Sequence, residues 1–183
     1  PLILREYDIR GQVGKNLSED DAYALGLAFG TFVRHKGGST MCVGYDGRET
    51  SPSLSSALIK GLNETGISVE NVGLGPTPML YFAVKDRSAD AGIMVTGSHN
   101  PSDYNGFKMT LQKEPVFGET IQEIGQIAAA GAFETGQGKT TEVDIRADYI
   151  ARLMKDYIGN RDLKIAWDNG NGAAGEVLRM LCD

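Results

Sequence analysis

The chain alternates between stretches with helical spacing of apolar residues and short, continuous apolar runs. Between residues 18 and 36 the apolar positions recur at near-helical spacing, which predicts an amphipathic helix. Ser18 is a suitable N-cap residue for this helix, and Gly37 ends the pattern. The apolar run at residues 41–45 then predicts a short buried strand.

The same alternation continues through most of the chain. Further strands are predicted at residues 67–72, 91–96, 106–111 and 163–167, and further helices at residues 51–65, 77–85, 119–130, 147–158 and 176–181. Ser51 is expected to cap its helix, with Pro52 at the first helical position. Alternation of strands and helices with short connections predicts an α/β fold with a mixed, largely parallel sheet flanked by helices.

A Gly- and Thr-rich segment at residues 131–139 interrupts this pattern. Beyond it, the strand at residues 163–167, a glycine-rich turn and one short helix are too few elements to close a second sheet. We therefore expect one domain at residues 1–145 and the incomplete beginning of a second at residues 146–183. An apolar stripe on the helix between them is expected to be core or an interdomain support; it consists of Tyr149, Leu153, Met154 and Tyr157.

Composition narrows the classes of function. The net charge of −6 argues against a non-specific nucleic-acid surface or an anionic-membrane surface, but permits a local basic cleft for an anionic small molecule. No apolar run approaches the roughly 20 residues needed to span a bilayer. Cys42 and Cys182 are isolated, and Cys42 lies in a predicted buried strand, so we expect an inert core thiol and a reducing cytoplasm.

The apolar run at residues 91–95 leads directly into a polar turn that contains Ser98. Gly97 lets the backbone turn, His99 is adjacent to the serine, and Lys108 follows ten positions later. Reactive groups in open α/β sheets gather beyond the carboxyl ends of the strands. This arrangement predicts one hydroxyl presented at the edge of a sheet beside cationic groups, which suits the handling of a phosphoryl group.

Two other functions are compatible with parts of the chain. Gly170-x-Gly172-x-x-Gly175 follows a predicted strand and begins a helix, which is the context of a dinucleotide fingerprint, so a nucleotide-binding module is one alternative. A serine hydrolase is the other, and it is disfavoured. Thr96 stands where the Gly-x-Ser-x-Gly motif needs glycine, and the nearest histidine is the sequence neighbour of Ser98.

Four segments, in the same order along the chain, resemble the α-D-phosphohexomutases, the phosphomannomutase/phosphoglucomutase family. They are Arg-Glu-Tyr-Asp-Ile-Arg-Gly at residues 5–11, Gly-Tyr-Asp-Gly-Arg-Glu-Thr-Ser at 44–51, Thr-Gly-Ser-His-Asn-Pro with Asn-Gly-Phe-Lys at 96–108, and Asp-Asn-Gly-Asn-Gly-Ala-Ala-Gly at 168–175. The resemblance implies a reversible transfer of phosphate between O1 and O6 of a hexose phosphate. The implied intermediates are a phosphoserine and a hexose 1,6-bisphosphate, which also serves as the activating phosphate donor.

The resemblance also implies roles for individual residues. Ser98 would carry the phosphate, His99 would contact the reacting centre, and Lys108 would transfer a proton. Tyr7 and Arg10 would lie in the active-site cleft. Mg²⁺ would bind an oxygen of Ser98 or of its phosphate together with three aspartates of an Asp-Gly-Asp-x-Asp-Arg loop, a pattern that does not occur in this sequence.

The family normally has four domains, so the resemblance implies an N-terminal fragment whose partners are hexose 1- and 6-phosphates and the missing C-terminal domains. Such a fragment is expected to be inactive and to bind Mg²⁺ weakly or not at all. The glycine turn at residues 170–175 then becomes a strand-to-helix turn whose amides face the serine loop. Arg48, Asn100 and Asn105 are expected to support the loops and not to react.

Overall fold

The computed structural model of the protein describes residues 3–112, 114–159 and 162–182. The strands are β1 Ile9–Gln12, β2 Thr40–Tyr45, β3 Ser68–Leu74, β4 Ala91–Val95, β5 Tyr104–Leu111, β6 Glu114–Pro115 and β7 Thr140–Glu142. The helices are α1 Glu19–His35, α2 Ser51–Glu64, α3 Thr77–Asp86, α4 Glu119–Ala130, α5 Arg146–Met154 and α6 Gly175–Cys182. None of these helices combines the length and the apolar character needed to cross a membrane.

The strands form one sheet in the order β1-β5-β4-β2-β3-β7, with β6 paired to β5. β2 is parallel to both β3 and β4, and β7 is parallel to β3. β5 is antiparallel to β1, β4 and β6, so among the described strands β5 alone runs against the others. The predicted α/β fold with a mixed, largely parallel sheet is confirmed, and the carboxyl ends of β2, β3 and β4 lie at one edge of the sheet.

Helices cover both faces of the sheet, because side chains along each buried strand alternate between two cores. Met41 and Val43 of β2 point into a core that includes side chains of α1, α2 and α4. Cys42, between them, points into a second core with side chains of α3. Ile145 and Val177, on either side of the glycine-rich turn, also belong to this second core.

Two glycines set the close contact between α1 and α2. A Cβ atom on Gly26 would lie 2.3 Å from the carbonyl oxygen of Leu58, and one on Gly61 would lie 2.3 Å from the carbonyl oxygen of Tyr23. Both obstacles are backbone atoms, which cannot move aside as the end of a side chain can. The two helix backbones therefore approach each other at a distance that only glycine permits.

The N-cap predicted for α1 is confirmed, whereas the N-cap predicted for α2 is wrong. Ser18 caps α1, and its hydroxyl accepts a hydrogen bond from the amide of Asp21 while the Asp21 carboxylate accepts one from the amide of Ser18. In α2 the N-cap residue is Thr50, and Ser51 is the first helical residue. Ser51 is fully buried, and its hydroxyl donates to Asp46 and not to its own helix.

The strand predicted at residues 163–167 is wrong: this segment has no regular secondary structure. Its apolar residues remain exposed, with 67% of the surface accessible for Leu163, 58% for Ile165 and 58% for Trp167. A strand needs a partner for its backbone hydrogen bonds, and none of the described strands pairs with this segment.

The helix expected at residues 147–158 ends at Met154. Of its apolar stripe, Tyr149 contacts the ring of Phe82 at a centroid distance of 5.5 Å, but Leu153, Met154 and Tyr157 are exposed. Of the two roles expected for the stripe, core packing is wrong for these three residues, and support of a second domain stays a prediction.

Candidate active site

The segments that follow β2, β3 and β4 line a cleft of about 1060 Å³ at the carboxyl edge of the sheet. They contribute residues 46–50, residues 75–78 and most of residues 96–103. Residues 170–173 of the glycine turn also line this cleft. The cleft is therefore formed by residues of three of the four motifs that resemble the phosphohexomutases.

Ser98 lies at this cleft in an unusual backbone conformation. Its φ angle is +53°, in the left-handed region that residues other than glycine rarely adopt. The backbone amide of Ser98 donates to the hydroxyl of Thr96 at 2.9 Å. Its own side chain is exposed, and within the described residues the hydroxyl makes no hydrogen bond. The backbone of Ser98 is thus fixed while its hydroxyl remains free to react.

Asp46, directly after β2, anchors the start of the serine loop. One carboxylate oxygen accepts from the Thr96 hydroxyl at 2.8 Å and from the Gly97 amide at 3.1 Å. The other accepts from the Ser51 hydroxyl at 2.6 Å and from the Arg48 amide at 3.1 Å. Both oxygens are therefore occupied by protein donors, and Asp46 acts as a structural anchor.

Arg48 holds the rest of the loop through backbone carbonyls. Its Nη1 donates to the carbonyls of Pro101 at 2.6 Å and Tyr104 at 2.9 Å. Its Nη2 donates to the carbonyls of Asn100 at 2.7 Å and Ser98 at 3.2 Å. The loop role expected for Arg48 agrees with these contacts.

Two asparagines give further support. Asn100 donates from its side-chain amide to the carbonyl of Gly97 at 2.8 Å, inside the loop. Asn105 is fully buried and donates to the hydroxyls of Thr50 and Ser51, each at 2.9 Å. Asn105 therefore connects the start of β5 to the start of α2, a contact between two loops that its sequence position alone did not reveal.

His99 is exposed and lines the cleft beside Ser98. Its ring makes no hydrogen bond or ion pair with the described part of the chain. In a serine hydrolase, a base oriented by a third group would hydrogen-bond the serine hydroxyl. No such base contacts the Ser98 hydroxyl within the described ranges, so the geometry does not favour the hydrolase alternative.

Lys108 and Arg10 form a separate group around Asp8. The Arg10 guanidinium donates to a carboxylate oxygen of Asp8, and the Lys108 ammonium lies 4.0 Å from the same oxygen. Asp8 is nearly buried, with 7% of its surface exposed. The antiparallel register of β1 and β5 brings these residues together, since Ile9 pairs with Phe107. The two cations contact Asp8, and no hydrogen bond or ion pair links them to Ser98 within the described residues.

Tyr7 lies on the surface of the described chain. It is 73% exposed, and its ring lies 6.4 Å from the ring of Phe117. Tyr7, Arg10 and Lys108 are not among the residues that line the cleft in the described chain. The structure thus brings Ser98 and His99 together at the cleft and groups Arg10 with Lys108 on the sheet.

The described residues do not fit a Mg²⁺ site by themselves. They contain no group of three or more His, Cys, Asp or Glu side chains that could hold a metal ion. The carboxylate of Asp46, which anchors the serine loop, already accepts five hydrogen bonds from protein donors. Mg²⁺ requires several oxygen ligands at nearly octahedral positions, and Ser98 would supply one.

Cys42 takes no part in the site. It is fully buried on β2, and burial, reinforced by the nearby Glu70 carboxylate, raises the pKa of its thiol to about 12. The nucleophilic thiolate is therefore scarce at neutral pH, in agreement with an inert core residue.

Comparison with known proteins decides the family. Residues 1–135 match the family described as "Phosphoglucomutase/phosphomannomutase, alpha/beta/alpha domain I". The chain belongs to the phosphoglucomutase/phosphomannomutase family. The resemblance inferred from the four motifs is confirmed by this match.

Individual relatives agree with this assignment. The chain is 41% identical to a phosphoglucomutase of Neisseria meningitidis serogroup A over 195 residues, covering 99% of this chain and 42% of the relative. It is 41% identical to a phosphomannomutase/phosphoglucomutase of Pseudomonas putida, covering 99% of this chain and 39% of the relative. A crystal structure of a phosphoglucomutase/phosphomannomutase family protein from Burkholderia thailandensis superposes with a TM-score of 0.95 at 42% identity, covering 98% of this chain and 41% of the other. The chain thus spans about two fifths of the length of these relatives.

The glycine turn lacks the setting of a dinucleotide site. Asn171 and Gly170 have φ angles of +59° and +55°, and the Gly170 amide donates to the Asp168 carboxylate at 2.8 Å. The strand that a dinucleotide fingerprint requires before the turn is not formed. In this family member the turn therefore forms a wall of the cleft at Ser98.

Proposed function

We propose that Ser98 carries the phosphoryl group of a phosphohexomutase, which interconverts hexose 1-phosphates and hexose 6-phosphates. The strongest support is that the backbone of Ser98 is held in place while its side-chain hydroxyl is not. Its backbone is held at a φ of +53° by hydrogen bonds from the loop, and its exposed hydroxyl is unbonded at the cleft. A nucleophile whose position is fixed before the substrate arrives avoids the entropic cost of orienting it during the reaction.

In the proposed reaction, phosphoserine donates its phosphoryl group to the free O1 or O6 of a hexose phosphate. The bond from phosphorus to the Ser98 oxygen breaks and a bond to the sugar oxygen forms, while the sugar hydroxyl loses a proton and the Ser98 oxygen takes one up. The resulting hexose 1,6-bisphosphate reorients and returns its other phosphoryl group to Ser98. Transfer of this kind depends mainly on positioning and on stabilisation of the phosphoryl charge.

The electrostatics of the cleft favour a phosphorylated ligand. The N-termini of α2 and α3, at Thr50 and Pro76, both line the cleft, and neither has a side-chain cap. The positive end of each helix dipole favours a bound anion. A volume of about 1060 Å³ suits a hexose with two phosphates.

We propose the other site residues in the roles that the resemblance implies. His99 contacts the transferring group and Lys108 exchanges a proton with the sugar hydroxyl. Tyr7 and Arg10 belong to the cleft of the complete enzyme. A lysine ammonium can give up a proton and take it back, whereas the guanidinium of arginine keeps its proton.

The activity would belong to a longer protein, since the chain spans about two fifths of the length of its relatives. We propose that residues 1–145 form the domain with the phosphoserine loop and that residues 146–183 begin a second domain. Mg²⁺, which would offset charge on the phosphoryl group, needs carboxylate ligands from outside these residues. The 183-residue chain alone is then expected to be inactive, and a cytoplasmic location stays a prediction.

The experiment is a mutase assay on the full-length protein with Ser98→Ala. Glucose 1-phosphate and mannose 1-phosphate are supplied with Mg²⁺ and a trace of the 1,6-bisphosphate, and formation of the 6-phosphate is followed. Ser98→Ala is expected to reduce turnover to background, whereas Ser56→Ala, an exposed serine on α2, keeps it. Wild-type turnover in Ser98→Ala would contradict the proposal.

A further inference from the structure

We infer that Arg48 and Gly97 form a clamp that positions Ser98, with Asp46 as its anchor. In this clamp the guanidinium fills the space beside Gly97 and holds the carbonyls of the loop, so that the Ser98 hydroxyl faces the cleft. Arg48 is thus a positioning residue that acts through the backbone and not a ligand of the substrate. The consequence for turnover rests on the proposed function; the consequence for loop order does not.

Arg48 uses all of its side-chain donors within the protein. A guanidinium has five N–H groups in a fixed planar arrangement. Nη1 and Nη2 make four hydrogen bonds of 2.6 to 3.2 Å to loop carbonyls, and Nε donates to Asp46 at 3.3 Å. Its side chain is 16% exposed. No donor of the Arg48 guanidinium remains for a phosphate, and the neighbouring Asp46 carboxylate offsets its positive charge.

The four carbonyl oxygens that accept from Arg48 are spread along the whole serine loop. The four carbonyls begin at Ser98 and end at Tyr104, the first residue of β5. One planar group therefore joins the reactive residue to the strand that leaves the loop. A lysine in place of Arg48 could not reproduce this, because its ammonium has three donors around a single atom.

Two successive hydrogen bonds link Asp46 to the Ser98 amide. The hydroxyl of Thr96 donates its proton to Asp46, and the same oxygen accepts the Ser98 N–H. The direction of each hydrogen bond is thereby fixed by the carboxylate, which can only accept. A sparsely populated backbone conformation persists when several surrounding contacts determine it, as they do at Ser98.

The Arg48 guanidinium occupies the space beside Gly97. A Cβ atom there would lie 2.3 Å from both Cζ and Nε of Arg48, and 2.7 Å from the carbonyl oxygen of Tyr104. The φ angle of Gly97 is not in the positive range, so the backbone conformation itself would accept alanine. Gly97→Ala should therefore displace the guanidinium and press on the Tyr104 carbonyl, so that it disturbs the loop at least as much as Arg48→Ala.

Loop order can be tested on the 183-residue chain without any activity. Hydrogen exchange would be measured at the amides of Gly97, Ser98 and Tyr104 in the wild type, Arg48→Lys and Gly97→Ala. Arg87→Lys is the matched control, since Arg87 makes a bidentate ion pair with Glu70 away from the cleft. We expect at least about tenfold faster exchange in both loop variants and no change in the control. Unchanged exchange in Arg48→Lys would overturn the clamp.

Turnover of the full-length protein provides the second test. Misplacement of a reacting group by about 1 Å costs on the order of 10²-fold in rate. Arg48→Lys, Arg48→Ala and Gly97→Ala should each lower kcat by about 10- to 100-fold, with KM changed less than about threefold and the fold intact by circular dichroism. The double variant Arg48→Ala with Gly97→Ala should be less impaired than the product of the single effects, because both remove the same clamp.

The outcomes separate the two proposals. A raised KM with unchanged kcat in Arg48→Lys would mean that Arg48 binds the substrate, and would overturn the positioning role. Unchanged kcat and KM would overturn it as well. Wild-type turnover in Ser98→Ala would instead overturn the proposed function, and hydrogen exchange would still decide whether Arg48 orders the loop.

Discussion

The hydroxyl of Thr96 donates to the carboxylate of Asp46 at 2.8 Å and joins the ends of two parallel strands. β2 ends immediately before Asp46 and β4 ends immediately before Thr96. Because the strands are hydrogen-bonded neighbours, both residues leave the sheet at the same edge. The hydrogen bond therefore fixes the start of the serine loop relative to the end of β2.

The first prediction follows from this bond. Asp46→Asn replaces one acceptor oxygen by an NH₂ group, which would face donors at Thr96 and Gly97 or at Ser51 and Arg48. We expect a loss of about 1–3 kcal/mol in the free energy of unfolding, the usual cost of unmet buried hydrogen bonds. Chemical denaturation measures it.

Asp156→Asn is the control for Asp46→Asn. Asp156 pairs with Arg152 at an exposed position, with 70% of its side chain accessible. Exposed ion pairs contribute between zero and about 1 kcal/mol, so the control should change stability little. Equal losses in the two variants would show that Asp46 is not an internal anchor.

The second prediction concerns the contact between α1 and α2. Gly61→Ala places a methyl group 2.3 Å from the Tyr23 carbonyl oxygen, so we expect a destabilisation of about 1–3 kcal/mol from overpacking. Gly125→Ala in α4 is the matched control. Its nearest obstacle is the Leu4 Cδ1 atom at 2.5 Å, the end of a side chain that can move. If Gly61→Ala melts at or above the temperature of Gly125→Ala, the helices do not pack as described.

The third prediction concerns Lys108, whose ammonium lies 4.0 Å from Asp8. Lys108→Ala in the full-length protein should lower kcat by about 10²-fold, the scale of losing a general acid–base group. Lys108→Arg should fail to restore it, because arginine keeps its proton near neutral pH. Lys85→Ala, an exposed lysine at the end of α3, serves as the control. If neither Lys108 substitution changes kcat, Lys108 does not transfer a proton in the reaction, and its contact with Asp8 is structural.

The fourth prediction concerns the two thiols. Burial raises the pKa of the Cys42 thiol to about 12, whereas Cys182 is exposed. A thiol reagent at pH 8 should therefore modify Cys182 quickly and Cys42 only after unfolding, and Cys182→Ser should abolish the fast phase. Two equally fast thiols in the native protein would contradict the buried position of Cys42.

The same pKa shift predicts the direction of a pH dependence. The folded state holds the Cys42 proton more tightly than the unfolded state, whose thiol has a pKa of about 8.5. The contribution of the protonated Cys42 thiol to the free energy of unfolding is thus complete below about pH 8.5. It declines as the pH rises towards 12. Replacing Cys42 by alanine should flatten this decline in denaturation experiments at alkaline pH.

Much of the fold could be predicted because local patterns and packing agree. The apolar periodicity, the Ser18 cap and Gly37 defined α1, and continuous apolar runs defined β2 and β4. β1, β6 and β7 were missed because they are short, and β1 and β7 also lie at the two ends of the sheet order. The strand predicted at residues 163–167 failed for the opposite reason, since its pattern was favourable but no strand in the described part of the chain pairs with it.

The site was predictable only in part. The motif indicated Ser98 and His99, and both line the cleft. The anchoring role of Asp46 and the donation from Asn105 to Thr50 join loops about 50 residues apart, so no local pattern contains them. The positive φ angle of Ser98 was likewise unpredictable, because it results from those distant contacts and not from the residue type.

The most direct test of the account is transfer of phosphate to Ser98. The full-length protein, treated first to remove any bound phosphate, would be incubated with glucose 1,6-bisphosphate and Mg²⁺, then digested and mapped by mass spectrometry. We expect one phosphoryl group on the peptide containing Ser98, and none on that peptide in Ser98→Ala. Phosphate on a different residue, or turnover by a wild-type protein that never carries phosphate on Ser98, would contradict it.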